Sequence, residues 1–253
     1  MSNDSNLTLY WLKYSPYACR PSILLCEKQQ KFNSHVVDFS VQENRSAEFL
    51  KISPKGKVPA LIDSETGVTI YESYAILSYL EEKYGTVGPS FSENPKARAQ
   101  ALIRSSEIDN YFIPASHKYF GAWYVLTDEE RSDESGENEK VKQTDVAYEQ
   151  LISEFQKYDD VLKQQKERGQ PLYLVGDEFS VADIMFLPLL LFFEHVKLDF
   201  SAESNRLGNV IEYLEGNKKR PSVRDGYPAF WNGDETKFDT SKYMQAYHKR
   251  KCQ

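Results

Sequence analysis

Three short stretches of this 253-residue chain carry side chains able to do chemistry together. Ser15, in Ser15-Pro16-Tyr17-Ala18-Cys19-Arg20, stands where a strand turns into a helix. A hydroxyl there can donate a hydrogen bond to an anion resting on the helix N-terminus. Gly56-Lys57-Val58-Pro59-Ala60-Leu61 sets a proline at the start of an apolar strand, where its missing N–H is tolerated. A cis Val58-Pro59 bond would turn the N–H and C=O of Val58 away from the sheet, toward whatever lies above it. Glu72-Ser73 opens a helix whose free N–H groups and hydroxyl suit a carboxylate. Together they describe a cradle for a small extended peptide with a negative end. The anion that fits this cradle beside Ser15 is a thiolate. A free thiol near pKa 8.5 is only about 3% ionised at pH 7, and lowering its pKa by ~2 units takes ~2.7 kcal/mol. One hydrogen bond to a charged group, about 1.5–3 kcal/mol, together with the helix terminus, can supply that.

Each feature also has a plainer reading. Ser15 alone would be read as a helix cap; the cradle downstream favours the thiolate. Cys19 lies in or just beyond the first helical turn, where a cysteine can be reactive, although a packing cysteine is commoner. Cys26, on the same face, reads as core. Arg20 reads either as a ligand-carboxylate binder or as an ion-pair partner of Glu72 or Glu81. Ser180-Val181-Ala182-Asp183, between Phe179 and Ile184, is a capping box with a hydrophobic staple, so Asp183 is structural rather than catalytic. The histidines at 35, 117, 195 and 248 share no ligand spacing, which gives no case for a metal. Tyr111, Phe112, His117, Tyr119, Phe120 and Trp123 read mostly as core or subunit contact, with a minority walling an apolar pocket that faces the cradle.

These residues need elements to hold them. Residues 7–84 alternate strands and helices: strand 7–11, helix 16–31, strand 36–39, a short helix 48–52, a hairpin of 60–62 and 68–70 about residues 63–67, and helix 73–83. That order makes a small mixed sheet with helices on both faces. Residues 85–92 are linker-like, and beyond them no strand pattern appears. A long helix from Asn94 to Leu126 kinks at Pro114, an acidic loop covers 127–140, a second long helix runs from Val141 to Arg168, and further helices start at Ser180 and near Glu203. The tail from Tyr227 is aromatic and irregular, with a basic patch at His248-Lys249-Arg250-Lys251. The division expected is therefore an α/β domain at 7–84 and an all-helical domain at 93–253.

Composition narrows the function classes. A net charge of −7 argues against a nucleic-acid binder. Residues 128–140 hold seven acids and two bases and carry much of that charge. Three unclustered cysteines give no disulfide framework and point to a reducing compartment. The opening Met1-Ser2-Asn3-Asp4-Ser5-Asn6 lacks the order of a signal peptide, and the greasy run from Ile184 to Phe193 is too short to span a bilayer. The expectation is a cytoplasmic protein with no membrane partner.

The ordered set Ser15-Pro16-Tyr17-Ala18-Cys19-Arg20, Lys57-Val58-Pro59-Ala60-Leu61, Glu72-Ser73-Tyr74-Ala75-Ile76 and Ser180-Val181-Ala182-Asp183-Ile184 resembles the cytosolic glutathione transferase superfamily, from Leu7 to about Leu214. The loop looks most like the serine-type tau group or related fungal and bacterial forms; the omega-type members carry cysteine where this chain has Ser15. The resemblance implies a thioredoxin-like N-terminal domain followed by a helical domain, usually in a homodimer. It implies glutathione as co-substrate, conjugated to a small hydrophobic electrophile in detoxification or secondary metabolism. Ser15 would stabilise the thiolate, and Val58 with Pro59 would pair with the cysteinyl backbone. Ser73 would hold the γ-glutamyl carboxylate, Glu72 its amine, and Lys57, with Gln42, the glycyl carboxylate. The electrophile would sit among Tyr14, Tyr17, Tyr111, His117 and Trp123. The fold also serves non-catalytic binding or structural proteins, and a thiol-transferase chemistry through Cys19 is a further option.

Overall fold

In the computed structural model, which describes residues 5–85, 92–198, 200–226 and 239–251, the chain opens with β1 (Leu7–Trp11), α1 (Pro16–Glu27) and β2 (Asn33–Val36). A 3-10 turn at Glu43–Arg45 leads into α2 (Ala47–Ile52), β3 (Ala60–Asp63), β4 (Val68–Tyr71) and α3 (Ser73–Tyr84). The strands lie in the order β2-β1-β3-β4, with β1 parallel to β2 and antiparallel to β3, and β3 antiparallel to β4. Leu9 faces Leu61 at the centre of the sheet, both fully buried. This is the mixed, thioredoxin-like sheet expected.

Two boundaries move. The second strand was expected at 36–39, but the ladder pairs Asn33–Val36 with Thr8–Trp11. Val37 still donates its N–H to the Trp11 carbonyl (2.8 Å) and buries its side chain, and the chain then turns where Asp38 accepts from the Ser40 N–H. β2 is an edge strand with mostly exposed side chains, so the apolar run just after it attracts the expectation. α1 stops at Glu27, short of residue 31, and Gln29 reverses the chain at φ 53°.

The rest is helical. α4 (Pro95–Glu107), a π segment (Ile108–Phe112) and α5 (Ile113–Tyr124) replace the single kinked helix. Pro114 has no N–H to donate to the preceding turn, and the ladder widens into a π turn there. α6 (Asp128–Arg131), α7 (Glu139–Glu167), α8 (Val181–His195), α9 (Ser204–Asn217), α10 (Pro221–Gly226) and α11 (Ser241–Lys251) follow. α8 is buried on almost every side, which is why Ile184–Phe193 is apolar all round. Phe112 meets Phe155 at 4.7 Å and Phe186 at 5.2 Å between ring centroids, which ties the π segment, α7 and α8 into one aromatic core. No helix among the described residues is long and apolar enough to cross a membrane. Asp183 is fully buried at the start of α8 and accepts from Leu174 N, Ser180 N, Ser180 Oγ and Tyr213 Oη, the structural role expected of it.

The acidic segment is more than a solvated loop. It contains α6, with Thr127 and Glu130 bonded reciprocally as a capping box. The tail is not wholly irregular either. α11 buries Tyr243, Met244 and Tyr247 against Tyr119 and Tyr148. Its basic last turn returns to the acidic stretch: Lys249 pairs with Glu134 (2.6 Å) and Arg250 bonds the Asp133 carbonyl, while Arg250 Nη2 also reaches Asp145 (2.6 Å). The clustered acids are therefore partly neutralised by a helix more than a hundred residues away in sequence. Most of the linker at 85–92, the start of the tail at Tyr227, and Cys252 lie outside the described residues.

Candidate active site

One cavity of about 520 Å³ opens between the sheet-containing unit and α5. Ser15, Lys57, Val58, Pro59, Glu72, Ser73, Tyr17 and His117 all line it. The structure thus gathers the three stretches that carry the chemistry, and two of the five candidate pocket aromatics, around one space.

Ser15 is the N-cap of α1. Its Oγ accepts from the Ala18 N–H (3.3 Å), so the capping reading is correct as far as it goes. Capping uses a lone pair, however, and leaves the hydroxyl hydrogen for an anion. Both readings of Ser15 are compatible in one geometry.

The Val58-Pro59 bond is cis. The loop before it is pinned by polar contacts: Ser53 Oγ donates to the Lys57 carbonyl (2.8 Å) and accepts from the Lys57 N–H (3.3 Å), and Asn44 Nδ2 donates to the Gly56 carbonyl (3.0 Å). Gly56 has φ 62°, and a Cβ there would lie 2.6 Å from the Asn44 carbonyl oxygen, so only glycine fits. Lys57 is left exposed at the cavity rim.

Glu72 takes φ 69° and ψ 121°, a conformation costing a non-glycine residue about 1–3 kcal/mol. It joins β4 to α3 as an N-cap without a side-chain hydrogen bond, so no side chain of its own covers the first N–H groups of that helix. Ser73 Oγ accepts from Arg20 Nη1 (3.1 Å), which again leaves the hydroxyl hydrogen to donate outward. Arg20 is 1% exposed and is anchored by two bonds to the Met185 carbonyl (2.9 and 3.2 Å). Its acidic partner is Asp109 (3.5 Å), not Glu72 or Glu81; Glu81 pairs with Lys28 and Glu72 with Lys55. Burial raises the Asp109 carboxyl above its usual range, opposed by Arg20.

On the helical side, Tyr17 Oη lies 2.9 Å from His117 Nε2, a bond between α1 and α5. Burial pushes the Tyr17 hydroxyl up, and desolvation with the Lys57 charge pulls the His117 ring down. Ile113, one turn before His117, adds an apolar face, as do Leu12 and Phe39.

The other candidates stand elsewhere. Tyr14, at φ 64°, stacks on His195 at 4.7 Å. Tyr111 is 61% exposed and lines a smaller cleft with Arg104, Glu107 and Glu154. Trp123 is buried, with the Arg131 guanidinium 4.2 Å from its ring. Its place on α5 follows the helical period: Ser116, Tyr119 and Trp123 turn inward, Ile113 and His117 toward the cavity. None of the three lines the main cavity, and neither does Gln42, exposed at the start of the 3-10 turn. Cys19 is 1% exposed within α1, so a mixed disulfide there would require that helix to open; Cys26 is half-buried rather than core, and burial pushes its thiol up to about 11. Asp109, Tyr71 and Tyr74 line the cavity without having been singled out. Tyr74 was within reach, since it follows Ser73 directly. Among the described residues no group of three or more His, Cys, Asp or Glu side chains is placed to hold a metal ion.

Comparison with known proteins agrees on the fold. Residues 14–83 match the glutathione S-transferase N-terminal domain and residues 145–232 the glutathione S-transferase C-terminal domain. A glutathione S-transferase domain-containing protein of Dictyostelium discoideum is 28% identical over 85% of this chain and 79% of its own. The glutathione S-transferase of the Antarctic clam Laternula elliptica superposes with a TM-score of 0.74 at 24% identity, over 96% of this chain and all of its own. Ure2p in complex with glutathione superposes at 0.72 and 21% identity, over 87% and 96%, and the nitrogen regulation fragment of the yeast prion protein Ure2p at 0.75 and 21%, over 88% and 96%.

Proposed function

The chain belongs to the cytosolic glutathione transferase superfamily, and we propose that it is an enzyme conjugating the glutathione thiolate to a small hydrophobic electrophile. The observation that carries this reading is the convergence of Ser15, Val58 and Ser73 on one cavity, with both serine hydroxyl hydrogens left to donate. In this reading Ser15 stabilises the thiolate and Val58, beside Pro59, pairs with the cysteinyl backbone. Ser73 and the N-terminus of α3 hold the γ-glutamyl carboxylate. Glu72 takes the amine and Lys57 the glycyl carboxylate. The thiolate then attacks an electrophile lying against Tyr17, His117 and Ile113, and the leaving group departs toward solvent. The protein acts in the cytoplasm as a homodimer, its domains spanning 7–84 and 93–253, in detoxification or secondary metabolism. Exposed Leu102 and Ile103 on α4 offer apolar surface for the pairing.

A second reading is a glutathione-binding regulatory module, favoured by the fold it shares with the nitrogen regulation fragment of Ure2p. A glutathione-affinity column followed by an assay with an aryl halide separates the two. The enzyme reading expects retention and turnover. Retention without turnover favours the module, and loss of both overturns the glutathione site.

A further inference from the structure

Tyr17 and His117 are the two polar side chains that α1 and α5 bring together on the electrophile side of the cavity. Tyr17 stands two residues after Ser15 on α1, and His117 one helical turn after Ile113 on α5; all four line the same space. Oη and Nε2 are 2.9 Å apart. The Arg20 guanidinium stands over the Tyr17 ring, 5.1 Å from its centre, and adds positive potential on that side of the pair.

We propose that Tyr17, supported by His117, is a catalytic hydrogen-bond donor to oxygen, and that the cavity thereby selects electrophiles on which attack creates an oxyanion, namely α,β-unsaturated aldehydes and ketones. This rests on the glutathione-transferase reading above. A neutral imidazole can place its hydrogen on Nε2 and donate to Tyr17 Oη, which leaves the phenolic hydrogen for a substrate oxygen. Both groups are held in the protonation states this needs: burial disfavours phenolate at Tyr17, and desolvation with the Lys57 charge disfavours imidazolium at His117. The apolar chain of such a substrate would lie along Ile113, with its β-carbon toward Ser15.

The step balances without a further reactant. The thiolate sulfur bonds to the β-carbon, and the C=C pair moves to the α-carbon and onward to the carbonyl oxygen. That oxygen carries the negative charge and is held by the Tyr17 hydrogen. Water then protonates the α-carbon, and the proton lost when the thiol ionised neutralises the hydroxide. An alkyl halide needs none of this, because its charge leaves on the halide.

The test is the ratio of kcat/KM for oct-2-enal to that for benzyl chloride, both with glutathione. Tyr17→Phe is expected to lower this ratio about tenfold or more, below the 10²–10³ range of a fully enclosed oxyanion donor. His117→Leu, which approaches the pair from the other helix, should lower it too, and His117→Gln, which restores an N–H, should recover most of it. An unchanged ratio in Tyr17→Phe overturns the inference. A native protein that conjugates benzyl chloride but not oct-2-enal also overturns it and leaves the transferase reading standing. Conjugation of neither overturns both.

Discussion

The cavity has two walls built in different ways. The sheet-side wall is made of strand ends, helix N-termini and one pinned turn: Ser15 as a cap, Val58 beside a cis proline, Ser73 opening α3. Its groups are placed by local backbone geometry and face the cavity with hydrogens or N–H groups to spare. The helical wall is made of side chains, Ile113 and His117, that reach the same space because α5 follows a π turn and packs on α7. The first wall suits a ligand of fixed shape and charge. The second suits variable ligands, since a change on one helix face alters it without disturbing a turn. Asp183 marks the contrast inside the helical unit: fully buried and bonded to four donors, it has nothing left to offer a ligand.

If the walls divide the work, damage to each should be read by a different substrate. The largest effect is expected from Ser73→Ala. Loss of a hydrogen bond to a carboxylate should weaken glutathione binding about 10- to 100-fold by calorimetry, while the electrophile KM moves far less. Equal movement of both would merge the two walls into one. The smallest effect is expected from Tyr111→Ala. This exposed residue lies in another cleft, so both KM values should stay within about twofold. A marked rise in the electrophile KM would move the second wall toward Tyr111.

The same division explains what could be read before the fold was known. Ser15, Lys57-Val58-Pro59 and Glu72-Ser73 sit in contiguous residues whose local conformations depend on proline and cap chemistry, so their types and order announce them. Ser180-Asp183 is legible for the same reason. The helical wall depends on which face of a helix packs where. Periodicity shows that His117 and Trp123 share a helix; it does not show that Trp123 turns to the core while His117 turns to Tyr17, a hundred residues earlier. Asp109 carries no local signal at all. Its place beside Arg20 follows from the π turn and the meeting of the two units. α11 was hidden by its Lys- and Arg-rich last turn, although Tyr243, Met244 and Tyr247 form a short apolar face. β2 was displaced by the apolar residues beyond its end.

The central claim is that Ser15 holds a thiolate. Its most direct measurement is the ionisation of the glutathione thiol bound to the protein, followed by ultraviolet thiolate absorbance against pH. In the native protein the bound thiol is expected to titrate ~2 units below its free value near 8.5, and in Ser15→Ala to climb back by about 1–2 units with glutathione still bound. A bound thiol that titrates at the same pH with and without the Ser15 hydroxyl would contradict the account.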